Sequence, residues 1–263
     1  MLCKPMTPAM QNLHAKNILL TRTSEQNKKT AVLVKSYGAH PLLFPCLDIE
    51  YLNDHIQTGI TKLKQSHIGT TDVIFSSSNG VFAVAASITN FTQIFSGFRI
   101  VAIGTKTAEA LKTIGCPAHV IPNEASQLGL IESYKQLALP KQVFFFRAEE
   151  GSDALTNYLT ARNIAWSLVP AYRTHCNTSP APEILQQLKN GAIDAVLLGS
   201  AKTALFYIQK AQNLNLANKP VIVAMSPHVA QAADKLGLAV QVIAQRPSFK
   251  AMLDGLNQYF TSP

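Results

Sequence analysis

The sequence predicts an α/β protein: two flavodoxin-like domains with parallel sheets, related by an internal repeat and joined by a two-stranded β connector. Three observations predict it. Short continuous apolar runs recur along the chain. Segments with helical start and stop residues separate them, and the pattern of the first half returns in the same order about 122 to 125 residues later. Runs of Val, Ile, Leu and Phe without polar interruption read as strands buried on both faces. Their alternation with helices of about ten to fifteen residues implies right-handed βαβ units.

The elements follow in order. Run 17–21 is the first strand, and Ser24 opens a helix that stops at Gly38. Runs 72–76 and 99–103 come next, the second leading through Thr105 into a helix that ends at Gly115. Runs 142–146, 193–198 and 220–225 are the strands of the second half. Ser226-Pro227 then sets an N-cap and an N1 proline before a helix ending at Gly237. Stretches 41–52 and 164–175 differ, because each is extended and carries a proline (Pro45, Pro170) that disfavours a central strand. They occupy matching places in the repeat and read as paired connectors.

The repeat itself rests on ordered anchors. Ile18-Leu19-Leu20-Thr21-Arg22 aligns with Val143-Phe144-Phe145-Phe146-Arg147, and Pro45 with Pro170. Asp72-Val73-Ile74-Phe75 matches Asp194-Ala195-Val196-Leu197, Val101-Ala102-Ile103-Gly104 meets Val223-Ala224-Met225-Ser226, and Ser126 meets Ser248.

Composition narrows the function. Of 263 residues 47% are hydrophobic and only 14% charged, yet Lys and Arg exceed Asp and Glu by 23 to 15, a net charge of +8. Such a surplus suits an anionic partner or is simply a mildly basic surface. Nucleic acid is unsupported: the densest basic cluster is Lys28-Lys29, aromatic and basic residues are not interleaved, and no nucleic-acid-binding motif is present. Cys3, Cys46, Cys116 and Cys176 are scattered, the seven histidines are dispersed, and neither shows metal-ligand spacing. The thiols read as free, in a reducing compartment. Residues 1–16 lack an apolar signal core and read as a frayed tail, and no run approaches the ~20 apolar residues of a membrane span. A soluble cytoplasmic protein is expected.

In parallel α/β sheets ligands bind beyond the carboxyl ends of strands, where helix N-termini offer free N–H groups and partial positive charge. The turns there carry Arg22, Ser77, Asn79, Thr105, Thr107, Arg147, Ser200, Ser226 and His228, and Ser126 and Ser248 open further helices. Taken singly, each Ser or Thr reads as an N-cap, and only the collective pattern points to an anion. Glu149-Glu150 reads as a helix start rather than an acid/base pair. Phosphate-loop, dinucleotide, zinc-protease and nucleophile-elbow motifs are all missing, so no metal or cofactor is expected.

From residue 17 to 260 these motifs resemble the uroporphyrinogen-III synthase family. The resemblance lies in Leu20-Thr21-Arg22, in Asp72-Val73-Ile74-Phe75-Ser76-Ser77-Ser78-Asn79-Gly80-Val81, in Ala102-Ile103-Gly104-Thr105-Lys106-Thr107-Ala108, and in Val169-Pro170-Ala171-Tyr172-Arg173. It implies dehydrating cyclisation of linear hydroxymethylbilane with inversion of its last ring, without cofactor, by a monomer. It also implies a substrate with eight carboxylates, clasped in the family between two domains. Residues 17–44 plus 176–263 would form one domain and 52–167 the other, with 45–51 and 168–175 as connector strands.

Carried over by position, Tyr172 is the candidate acid for the departing hydroxyl, since a phenol keeps its proton at neutral pH. A tyrosine packed between connector strands is the competing reading. Thr107, Ser77, Asn79 and Ser200 match substrate-facing turns, and Arg22, with Arg147 as its repeat partner, would pair with a carboxylate. The chain departs from the family at Ser226-Pro227-His228-Val229-Ala230, where Val229 replaces a threonine, and at Leu198-Gly199-Ser200. His228 is there either a cationic donor or a solvated helix residue. The alternative function is a non-catalytic two-domain binder of a small polyanionic ligand.

Overall fold

The computed structural model describes residues 13–261. Contacts divide the chain into two compact units. One comprises the described residues up to Asp48 together with those from His175 onward, and the other is Ile49–Thr174. Each folds around its own five-stranded sheet.

In chain order the elements are β1 (Asn17–Leu20), α1 (Ser24–Ser36), β2 (His40–Leu43), β3 (Leu47–Tyr51), α2 (Asn53–Leu63), β4 (Thr71–Phe75), α3 (Ser78–Ser87) and α4 (Phe91–Phe95). There follow β5 (Arg99–Ala102), α5 (Thr105–Thr113), α6 (Gln127–Tyr134), β6 (Gln142–Ala148), α7 (Ala154–Ala161), β7 (Ala165–Cys176) and α8 (Pro182–Lys189). The last are β8 (Ala195–Leu198), α9 (Ala201–Ala211), α10 (Leu214–Ala217), β9 (Val221–Ala224), α11 (Pro227–Lys235), β10 (Val240–Ile243) and α12 (Phe249–Tyr259).

The first sheet runs β10-β9-β8-β1-β2 and the second β3-β7-β6-β4-β5. In the first, every neighbouring pair is parallel, and its strands, counted along the unit, stand in the flavodoxin-like order 2-1-3-4-5. The repeat is visible in the pairing. Asn17 faces His40 in β1·β2 and Gln142 faces Ala165 in β6·β7, a shift of 125 on both strands. Val223 faces Val242 in β9·β10, and the isolated bridge Val101↔Val120 stands 122 residues earlier. The repeats are therefore shared out: each unit takes the leading strands of one copy and the trailing strands of the other.

Several expectations are corrected. Stretch 41–52 is not one connector: β2 lies at the edge of the first sheet and β3 joins the second, with Pro45 between them. Of the other stretch, residues 165–175 fall in one long strand, β7, second in its sheet despite Pro170. The proline is accommodated because the register slips there, Arg147 facing Pro170 and Ala148 facing Tyr172, so the missing N–H coincides with a bulge. Strand β10 was not anticipated, its run being broken by Gln241. Of the predicted tail, residues 1–12 lie outside the described part. Residues 13–16 are packed, not frayed: Leu13 is fully buried, the Ala15 N–H donates to the Gly38 carbonyl, and Lys16 Nζ reaches Asp194 at 2.8 Å.

The cores follow from the apolar runs. On one face of the second sheet Phe75 stacks on Phe146 at 5.1 Å, with Phe91 and Phe95 closing the cluster, and Val143, Phe145, Leu155 and Leu159 fill the opposite face. In the first unit Ile18, Leu20, Leu197 and Val223 pack against Met252, Leu253 and Leu256 of α12. The amino end of the second sheet is fastened by Asp72, 2% exposed, which accepts two bonds from Arg99 (2.7 and 2.8 Å) and one from Tyr134 Oη (2.7 Å). No helix among the described residues is long and apolar enough to cross a membrane.

Candidate functional site

The parallel strands of each unit place their carboxyl ends, and the helix starts that follow, along one edge. In the unit Ile49–Thr174 the strand order reverses between β4 and β6, and the Ser76 N–H there donates to the Phe146 carbonyl at 3.1 Å. Ser77 caps α3, its Oγ accepting from the Gly80 N–H at 3.2 Å. The same oxygen lies 2.9 Å from Tyr172 Oη. Tyr172 is 8% exposed and comes from β7 immediately after the bulge, in the last pair of the β6 register, opposite Ala148. The structure thus brings two predicted residues, far apart in sequence, into one hydroxyl pair. Asn79 is half-buried in the first turn of α3.

The neighbouring helix α5 starts at Gly104, which has φ 99° and ψ 158°, a conformation L side chains rarely adopt. A methyl group there would also lie 2.9 Å from Ala125 Cβ. Gly104→Ala is expected to destabilise the protein by about 2 kcal/mol, read as a lower urea midpoint; an unchanged midpoint would show that the turn has slack. Thr105 is exposed in the first turn of α5.

Three predicted contacts turn out to be occupied internally. Thr107 is 3% exposed, its Oγ1 donates to the Ile103 carbonyl at 3.3 Å and its N–H to the Gly104 carbonyl at 3.2 Å. The physical reason is its place on the inward face of α5. Ser126 caps α6 by accepting from the Gly129 N–H, and its hydroxyl donates to Glu124 Oε1 at 2.8 Å, so the chain supplies its own carboxylate there. Arg147 is 6% exposed, and its terminal nitrogens donate to the Ser152 carbonyl (2.6 Å) and Asp153 Oδ1 (3.1 Å). Its Nε is buried without a partner among the described residues.

In the other unit the order reverses between β1 and β8. Thr21 Oγ1, buried, donates to the Leu197 carbonyl at 2.7 Å and ties the two strand ends together. Arg22 follows. Its guanidinium lies over the Phe249 ring at 5.5 Å, and a methyl on Gly199 would stand 3.5 Å from its Cδ. Burial lowers its pKa below the usual arginine value. Ser200 caps α9 through a reciprocal box with Thr203. Ser226 caps α11 by accepting from the Val229 N–H at 3.4 Å, and His228 is exposed in the first turn of that helix. Ser248 caps α12 directly before Phe249.

Sequence reading missed Asn27. It is 1% exposed; its Oδ1 accepts from the Arg22 N–H at 2.9 Å, and its Nδ2 donates to the carbonyls of Leu20 (2.9 Å) and Arg22 (3.0 Å). The signal was present: Asn27, Thr30 and Val34 form the buried stripe of α1, and an amide on such a stripe needs partners. Among the described residues no group of three or more His, Cys, Asp or Glu side chains gathers as metal ligands would.

Fold and site together define a two-unit α/β protein whose reversal points carry capped helix N-termini, a tyrosine–serine pair and one arginine without a carboxylate among the described residues. The uroporphyrinogen-III synthase HemD family model matches residues 28–254, and the chain belongs to that family. It is 26% identical to the uroporphyrinogen-III synthase of Synechococcus elongatus over 95% of this chain and 98% of that one. It is 23% identical to the porphyrin biosynthesis protein HemD of Ruminiclostridium josui over 93% of this chain, which spans only 48% of that protein. Its fold resembles the crystal structure of a mutant uroporphyrinogen III synthase from the extremely thermophilic bacterium Thermus thermophilus, with TM-score 0.63 and 19% identity, covering 94% of this chain and 99% of the other.

Proposed function

We propose that the chain catalyses the dehydrating cyclisation of hydroxymethylbilane, with inversion of ring D, to uroporphyrinogen III, as a lyase of tetrapyrrole and heme biosynthesis. The observation that carries this reading is the family match across residues 28–254. The hydroxyl pair at the edge of the second sheet supports it chemically. Ser77 Oγ already accepts from the Gly80 N–H. If its own proton points at Tyr172 Oη, the phenol proton is free for a ligand. Tyr172 would give that proton to the departing hydroxyl as the C–O bond breaks and water leaves. Inversion breaks one C–C bond of ring D as another forms, and ring closure makes the last C–C bond while the ring-D α-hydrogen leaves as the proton that restores the phenol. No change of oxidation state is involved, so the reaction calls for acid catalysis and positioning rather than a redox group.

Carboxylates of the substrate would be held by Arg22, by exposed Thr105 and half-buried Asn79, Ser200 and Ser226 at their helix starts, and by His228. The net charge of +8 favours such a ligand over a neutral one. On this reading the protein is a cytoplasmic monomer acting on a small molecule, with no nucleic-acid or membrane partner. The test is an isomer assay: purified protein is given hydroxymethylbilane, the products are oxidised to porphyrins, and the type I and type III isomers are separated. Type III is expected to dominate in proportion to protein. Type I alone, the product formed without enzyme, would overturn the reading.

A further inference from the structure

The internal repeat contains its own comparison. Arg22 and Arg147 stand 125 residues apart, each at the carboxyl end of the strand that flanks its unit's reversal point. At the same spacing Asn27 corresponds to Ser152. In the second unit the turn after the arginine is fastened by the guanidinium itself, which takes the Ser152 carbonyl at 2.6 Å and Asp153 at 3.1 Å. In the first unit that task passes to Asn27, whose amide holds the Arg22 N–H and the carbonyls of Leu20 and Arg22. The guanidinium of Arg22 is left against Phe249 with no hydrogen bond or ion pair to any described residue. The two copies of one arginine differ in what they hold, and the residue five positions on differs with them.

We infer that Asn27 is a positioning residue that reserves the Arg22 guanidinium for a ligand carboxylate, making the β1/β8 reversal point the specificity-determining anion contact of its unit. The identity of the ligand rests on the proposed cyclase reading; the coupling between Asn27 and Arg22 does not. All three hydrogen-bonding positions that the Asn27 amide uses are on the backbone around Arg22; on its loss the Leu20 carbonyl keeps the Phe44 N–H, while the Arg22 carbonyl is left without its amide partner. A guanidinium beside a carbonyl that has lost its partner turns to it, as the Arg147 guanidinium takes the Ser152 carbonyl in its own turn.

The experiment compares wild type, Asn27→Ala, Arg22→Ala and the double variant. Steady-state kinetics with hydroxymethylbilane should show Asn27→Ala raising KM about tenfold with kcat within about twofold. The double variant should be no worse than Arg22→Ala, because the two residues act as one. Effects that add in full would overturn the coupling. A second readout is independent of turnover: phenylglyoxal modification mapped by mass spectrometry, with Arg147 in the same digest as reference. Arg22 should be modified readily in wild type and several-fold more slowly in Asn27→Ala, approaching Arg147; equal or faster modification would reject the inference. Should Asn27→Ala not fold, Asn27→Asp keeps the shape while losing both donated bonds, and the same rise in KM and fall in labelling are expected. A chain that fails to cyclise its substrate would sink the proposed activity, and the labelling would still decide this inference.

Discussion

Tyr172→Phe is expected to slow turnover by about 10²-fold or more, the range removed with a positioned general acid, while the folded protein persists. The ring stays in its place among the apolar side chains of the second unit, since only the hydroxyl is deleted. What is lost structurally is one hydrogen bond, to Ser77, and Ser77 Oγ keeps its bond from the Gly80 N–H. That loss is worth about 1 kcal/mol. A large fall in kcat with a small fall in melting temperature therefore distinguishes an acid from a packing tyrosine. Unchanged kcat would leave Tyr172 as packing alone.

Asp72→Asn is expected to have the largest effect on stability, about 3 kcal/mol. The carboxylate is almost wholly buried and takes bonds from Arg99 Nε, Arg99 Nη2 and Tyr134 Oη. An amide in its place presents donors to donors and strips the partner charge from Arg99. Because the Arg99 side chain is 29% exposed, water recovers part of that charge, which holds the cost to the lower end for a broken buried pair. Its repeat counterpart Asp194 supplies the control. That side chain is 27% exposed and is bonded to Lys16 Nζ and the Asn17 N–H, so Asp194→Asn should cost only about 1 kcal/mol. Urea midpoints of the two variants measure the contrast; equal midpoints would show that burial does not set the difference.

Much of this was legible in the chain. Val73-Ile74-Phe75 and Phe144-Phe145-Phe146 have no polar alternation, which only a strand covered on both faces tolerates, and both are fully buried. Ser77, Ser200, Ser226 and Ser248 were readable as helix starts because capping is a local bond spanning three residues. The internal partners of Thr107, Ser126 and Arg147 were not readable for the same reason: polarity beside a strand end is local information, whereas the partner that holds it need not be. Asn27 was undervalued because its worth lies in bonds to a turn five residues back and not in any motif.

By itself the sequence determined the continuous apolar strands, the capped helix starts, the parallel layering and the duplication, all of which follow from residue patterns within one or two turns or strands. Only the tertiary structure decided how the copies are shared. Strands β1, β4, β6 and β8 carry the same continuous apolar pattern, so periodicity cannot say which will pair. The choice falls to long-range register and to the chain passing from one unit to the other within β3 and β7. That pairing leaves Arg147 buried in its own turn and Arg22 without an ion pair among the described residues, a difference written in contacts rather than in the two matching Thr/Phe-Arg dipeptides.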